Sequence, residues 1–334
     1  MAHHGTGFYP ALAALVGNLF VTALKWLGFF ASGSSAMFSE AVHSLADTAN
    51  QGLLLFGIVR ARRAPTAEYA YGYGRERFFW ALISACGIFF AGAGVTFLHG
   101  IEALSAEHAP ETSPLTIGIL LVAFAVEAAT LALAVRSLMR KRPGVSFRAL
   151  FAEGDPVTIA VIYEDSVAVL GVLVALGATW LTQATGDARY DAYGSLLIGA
   201  LLAFIAILLI RKNHEYLLGR SMPESVQRRI VKLLEQDPII EKVIDFKSSI
   251  LGLDEYRIKC EVEINGSALF REMREREFVS DRFEDMGDSE EEFVRFCVEY
   301  ADRIPRVIGE HINRIEAKVQ KAHPTVKHID IELN

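Results

Sequence analysis

Cysteine is scarce in this chain: Cys86, Cys260 and Cys297 are its only three in 334 residues. No two of them stand at metal-finger spacing, and so few argue against a disulfide framework. Cys86 lies in an apolar run, where packing is the expected role. There is no excess of positive charge either. The formal net charge is −7, nothing resembles a basic stripe, and nucleic acid is excluded as a partner on that ground. No His-Glu-x-x-His pair and no nucleophile with an adjacent base marks an intramembrane hydrolase or lipid transferase. The N-terminus lacks a basic n-region with a cleavage site, so no removed signal peptide is expected. His3 and His4 read as part of a disordered start rather than as ligands. Beyond Arg211 no apolar run is long enough to span a bilayer.

Before Arg211 the opposite holds. Residues 8–31, 37–59, 78–104, 114–135, 156–182 and 192–210 are long apolar stretches, and 52% of the whole chain is hydrophobic. Each is near the roughly 20 residues that a spanning helix needs. The expected organisation is an all-α six-helix transmembrane domain over 1–212, followed by a soluble domain over 213–334. The acidic charge sits mainly in the soluble part, where a solvated surface explains it more simply than cation attraction.

Lys and Arg alternate between loops. Arg60, Arg62, Arg63, Arg75 and Arg77 flank the second connection, and Arg136, Arg140, Lys141, Arg142 and Arg148 the fourth. Arg211, Lys212 and Arg220 follow the last run. The connections 32–36, 105–113 and 183–191 hold only Arg189. The positive-inside rule therefore places both termini and the soluble domain in the cytosol.

Charged side chains inside spanning helices cost a few kcal/mol each on insertion scales, so each is a functional candidate. The second run is the richest, with Ser39, Glu40, His43, Ser44, Asp47, Asn50 and Gln51. Glu40, His43 and Asp47 fall on one helical face, and His43 and Asp47 are one turn apart, a spacing at which two side chains grip one ion. Polar glue between helices is the structural alternative, but a His–Asp pair with a third acid is costly glue. The fifth run carries Glu164 and Asp165, whose adjacent side chains point about 100° apart. The fourth carries Glu127. The first carries Lys25, which either pairs with an acid or lies near a water-filled cavity. His99 and Glu102 read as interfacial. Acids on three helices and one histidine suit an internal cation site.

These residues sit in a pattern that resembles the cation diffusion facilitator family of metal transporters. The resemblance is carried by the run from Gly33 to Asp47, by Tyr71-Gly72-Tyr73-Gly74-Arg75, by the run Glu164 to Gly171, and by the tail His328-Ile329-Asp330-Ile331-Glu332. Ser39-Glu40-Ala41, Glu164-Asp165 and the run Leu217 to Ser221 look closest to the branch that includes the eukaryotic zinc transporter 9. The resemblance implies a homodimer in which each protomer holds its transport site between the second and fifth helices. His43 and Asp47 match the second-helix ligand pair, and Asp165 matches the fifth-helix aspartate. The fourth ligand, a histidine in typical members, falls on Val161, which cannot bind metal. Glu164, Glu127 and Glu40 are the available substitutes. A carboxylate in place of nitrogen hardens the site and brings Mn²⁺ and Fe²⁺ forward as rivals of Zn²⁺.

In the soluble part, 223–236 reads as an amphipathic helix with Pro223 in its first turn. Residues 242–250 and 255–264 read as strands joined at Gly252-Leu253-Asp254, 300–322 as a long amphipathic helix, and 325–333 as a last strand. The order α-β-β-α-β resembles a small α+β ferredoxin-like dimerisation domain. Residues 266–299, which include Glu290-Glu291-Glu292, read as an inserted surface helical segment. His311, His323 and His328 lack close ligand spacing and read as solvated or structural.

The expected function is therefore carriage of a divalent metal, with Zn²⁺ as transported substrate ahead of Mn²⁺, Fe²⁺ and Cd²⁺. Efflux from the cytosol would be coupled to proton entry, because ligands must lose protons to hold metal. The alternative is a metal-sensing membrane scaffold without transport, which Val161 keeps open. An enzyme is not expected. The expected setting is a bacterial cytoplasmic membrane, with lipids, the ion and protons as partners.

Overall fold

The computed structural model describes residues 8–105, 114–141, 156–252, 255–275 and 289–334, with the backbone alone at 8–14, 156–161 and a few helix-end positions. His3, His4, Arg142, Arg148 and the loop 106–113 lie outside the described residues. The chain divides into two compact units, Met1–Leu218 and Gly219–Asn334. The division falls slightly beyond the expected 212, because the last long helix runs on through the polar Asn213-His214-Glu215 to Leu217.

Among the described residues the first unit holds six long helices: α1 (Phe8–Ser32), α2 (Ser35–Ala61), α3 (Glu76–Ala103), α4 (Pro114–Lys141), α5 (Pro156–Thr185) and α6 (Arg189–Leu217). Five are long and apolar enough to cross a membrane. The exception is α2, whose 27 residues carry the polar set that begins at Ser39. Phe30, Phe90, Leu98, Leu133, Trp180 and Phe204 face outward, while Met37, Leu120, Val172, Ile198 and Leu202 fill the interior. An apolar exterior over an apolar interior is the pattern of a lipid-solvated bundle. Helix α3 contains a π-helical stretch, Ile88–Ala93.

The polar helix is held in place at both ends. Helix α1 stops at Gly33, whose φ of 64° only glycine adopts freely and whose N–H donates to the Phe29 carbonyl at 2.8 Å. Ser34 then caps α2, its hydroxyl accepting from the Met37 N–H at 3.1 Å and donating to Asp191 Oδ1 at 2.6 Å. Asp191 Oδ2 accepts from the Ser35 N–H, and from that of Ala36 at 3.4 Å. Asp191 itself sits in the first turn of α6, so one buried carboxylate faces the positive ends of two helices. At the other end, the Arg60 guanidinium grips Glu76 of α3 with two hydrogen bonds, at 2.9 and 3.1 Å.

The second unit contains α7 (Glu224–Leu234), β1 (Ile240–Gly252), β2 (Glu255–Ile264), α8 (Gly266–Glu275), α9 (Glu290–Ala322) and β3 (Val326–Leu333). Strand β2 is central, antiparallel to β1 and parallel to β3. Ile258, Cys260 and Val262 alternate inward against Ile230, Leu234, Ile315 and Val319. Pro223 occupies the position just before α7 rather than its first turn. The long helix starts at Glu290, earlier than the expected Tyr300. Three acids in its first turn favour the helix N-terminus, and Pro305 is accommodated inside it. Of the segment read as an insertion, α8 and the first turns of α9 are helical; residues 276–288 lie outside the described residues.

Two outcomes are expected. Asp191→Ala removes the carboxylate that caps α2 and should cost about 1–2 kcal/mol, read as a lowered thermal midpoint in detergent, with a smaller loss for Asp191→Asn. Burial together with the nearby Glu316 carboxylate pushes the Cys260 thiol from 9.0 up to about 11. A thiol raised in this way stays protonated and favours the folded state below pH 9, and that contribution is lost as pH rises toward 11. At neutral pH a maleimide should therefore label exposed Cys297 within minutes and reach Cys260 only after unfolding.

Candidate metal site within the helical bundle

The face predicted for α2 forms as expected, but its residues split between two neighbouring clusters. Glu40 and His43 are buried and Asp47 is half-buried. His43 Nε2 stands 3.3 Å from Asp47 Oδ2, within ion-pair distance but out of line for a hydrogen bond, and neither ring nitrogen has a hydrogen-bond partner among the described residues. One turn toward the N-terminus, Glu40 turns away from that pair. Its Oε2 accepts from Lys25 Nζ at 2.7 Å, and the same ammonium donates to Glu127 Oε1 at 2.6 Å. Lys25 and Glu40 have no exposed side-chain surface. The question the sequence left open at Lys25 thus has a definite answer, an ion triad that joins α1, α2 and α4.

A cavity of about 30 Å³ lies beside the triad. Asp47, Glu127 and Asp165 line it from α2, α4 and α5, with Asn18, Ser44 and Thr130. That volume accommodates one water or one bare ion. Glu127 Oε2 is buried with no hydrogen-bond partner among the described residues. Glu164 does not line the cavity; it accepts from Asn50 Nδ2 at 3.4 Å. The 100° between adjacent helical positions separates the two acids as expected. Val161 lies one turn before Asp165 in α5, and its side chain is outside the described residues. Among the described residues no three His, Cys, Asp or Glu side chains converge closely enough to hold a metal as they stand. Asp47 of α2 and Asp165 of α5 line the cavity together, and His43, one turn before Asp47, is not among its lining residues.

Two residues missed in the sequence support this arrangement. Gly171 of α5 lies against Glu40, and a β-carbon there would collide with Glu40 Oε1. Thr22 of α1 donates to the Ser44 carbonyl at 2.9 Å, fixing α1 against the middle of α2. Neither glycine nor threonine in an apolar run carries a signal of its own. In the second unit, His311 is buried with Nε2 2.6 Å from Glu272 Oε2 and Nδ1 3.7 Å from Asp237 Oδ1. Its two nitrogens face opposite carboxylates, a structural arrangement rather than a chelate. The tail acids Asp330 and Glu332 pair across the sheet with Arg257 and Lys259, at 2.7 and 2.8 Å.

Gly171→Ala should push Glu40 off Lys25. Overpacking of a filled interior costs about 1–3 kcal/mol, so the thermal midpoint should drop, while Gly177→Ala, which meets open space on the same helix, should leave it in place.

Residues 11–218 match the family described as the cation efflux transmembrane domain. The human mitochondrial proton-coupled zinc antiporter SLC30A9 is 38% identical over 315 residues, which cover 92% of this chain and 55% of that protein. Metal tolerance protein C4 of Arabidopsis thaliana is 33% identical over 327 residues, 96% of this chain and 72% of that protein. The magnetosome protein MamM of Paramagnetospirillum magneticum is 24% identical over 241 residues, 71% of each chain. The chain spans about half the length of the zinc antiporters it matches. The match across α1 to α6 makes this chain a member of the cation efflux family, on the branch that resembles zinc transporter 9.

Proposed function

We propose that this protein carries divalent metal ions, with Zn²⁺ as the principal cargo, through a site formed by His43 and Asp47 of α2 and Asp165 of α5. The observation that carries the reading is the polar cavity inside an otherwise apolar bundle, lined by acids from three helices. Membrane interiors tolerate such groups only where they serve ions, protons or each other. Glu127 borders the same cavity and is within reach of an entering ion, while Glu164, next to Asp165, is turned to Asn50. Glu40 acts through Lys25 rather than on the ion.

All six long helices cross the membrane in this reading, with the polar face of α2 covered by its neighbours and its apolar residues Leu45, Phe56 and Val59 turned outward. The Lys and Arg asymmetry of the loops supports both termini on the cytosolic side of a bacterial cytoplasmic membrane; the zinc antiporters it resembles are named as mitochondrial. The mixed sheet with its helices supports a ferredoxin-like fold for the second unit and, by resemblance, a homodimer.

Transport follows from the chemistry of the ligands. Imidazole and carboxylates bind metal only when deprotonated, so loading releases protons and reprotonation on the far side weakens the hold. Closing α5 on α2 completes the shell, and opening it on the other face releases the ion. A gradient of protons into the cytosol then drives metal out. With a single imidazole among carboxylates, Mn²⁺ and Fe²⁺ are the rivals to measure against Zn²⁺ and Cd²⁺.

Proteoliposomes with an imposed pH gradient test this directly. Zn²⁺ flux should rise with the gradient and fall to the protein-free background in Asp47→Ala and Asp165→Ala, both of which keep the wild-type elution profile. Full flux in either folded variant contradicts the site, and absence of flux for every ion in protein that binds metal favours the sensing scaffold.

A further inference from the structure

Lys25 has no counterpart in the ligand set, yet it is the most completely buried charge in the bundle among the described residues, with Glu40. A lysine that served only to neutralise one acid would need one partner. This one has two, from different helices, at 2.7 and 2.6 Å. The second of these, Glu127, is shared: Oε1 is bonded to the ammonium, while buried Oε2 has no hydrogen-bond partner among the described residues and the side chain lines the ion-sized cavity. Glu127 is therefore held by a fixed cation on one oxygen and open to a mobile cation on the other.

We propose that Lys25 is a tethered competitor of the transported ion and so a determinant of its charge. In the empty carrier the ammonium occupies Glu127 and Glu40, sparing the bundle two unpaired buried carboxylates, each of which would be costly. When a divalent cation enters, Glu127 turns to it and the ammonium stays with Glu40. A monovalent ion carries no more charge than the ammonium and gains nothing by the exchange. A divalent ion attracts the carboxylate about twice as strongly at equal distance. The triad thereby sets a threshold that Na⁺ and K⁺ do not cross. This inference rests on the reading of the cavity as the ion site.

The test uses the full chain in detergent and Zn²⁺ titrated against a competing chelating dye. The paired variant Lys25→Gln/Glu40→Gln removes the competitor and one acid together, so net charge is unchanged and Glu127 alone loses its ammonium partner. It should bind Zn²⁺ about tenfold tighter or more, and adding Glu127→Gln should abolish that gain. Unchanged affinity in the folded pair, or a gain that survives Glu127→Gln, overturns the proposal. If the pair does not fold, Glu127→Gln alone keeps the Lys25–Glu40 bond and decides the matter: weakened Zn²⁺ binding supports the exchange and unchanged binding overturns it. Asp165→Ala separates the two levels. Its loss of Zn²⁺ binding beside an unaltered pair variant overturns the competitor alone, whereas full binding in Asp165→Ala overturns the ion site and the competitor together.

Discussion

One ammonium, buried without exposure between two carboxylates, is the constraint on which the helical unit depends. An ion pair in a low-dielectric interior contributes little net stability over an apolar replacement, but breaking it leaves a buried charge and costs several kcal/mol. The positions of α1, α2 and α4 are thus fixed relative to Lys25. Helix α2 can be polar because its polar face packs inside the bundle, against α1, α3, α5 and α6, while Leu45, Phe56 and Val59 face outward. Asp191 and Ser34 hold its first turn, and the Arg60–Glu76 pair its last. A helix clamped in this way presents Asp47 to the cavity in a defined direction, while α5 meets it through Gly171, where a side chain would intrude.

Local patterns were legible in the sequence and long-range partnerships were not. The helical period placed Glu40, His43 and Asp47 on one face, and adjacency separated Glu164 from Asp165; both are properties of a few consecutive residues. Alternation in 255–264 marked the central strand, because one of its faces is buried under α7 and α9. The partners of Lys25 lie 15 and 102 residues away, and that of Ser34 lies 157 away. No periodicity encodes such distances. The same reasoning grouped Glu40 with the metal ligands, since position on a helix face does not say which neighbour a side chain answers. The early start of α9 was hidden for a different reason: its charge-rich first turns have no buried stripe, so only the helix's continuation reveals them.

In the second unit the described ionic groups pair with one another. His311 is buried between Glu272 and Asp237, and the charged tail pairs across the sheet. These groups hold α8, α9 and β3 to the core. The proposed selectivity accordingly lies in the bundle, in a cavity that α1, α2, α4 and α5 line beside Lys25 and its two acids.

The central claim is that the cargo occupies this cavity. Anomalous scattering or density from the full-length protein loaded with Zn²⁺ locates the ion without reference to transport. The account predicts a peak between α2 and α5, about 2.0–2.2 Å from a His43 nitrogen and from oxygens of Asp47 and Asp165. A well-occupied zinc elsewhere, with the cavity empty and Lys25 still bonded to Glu127, would contradict it.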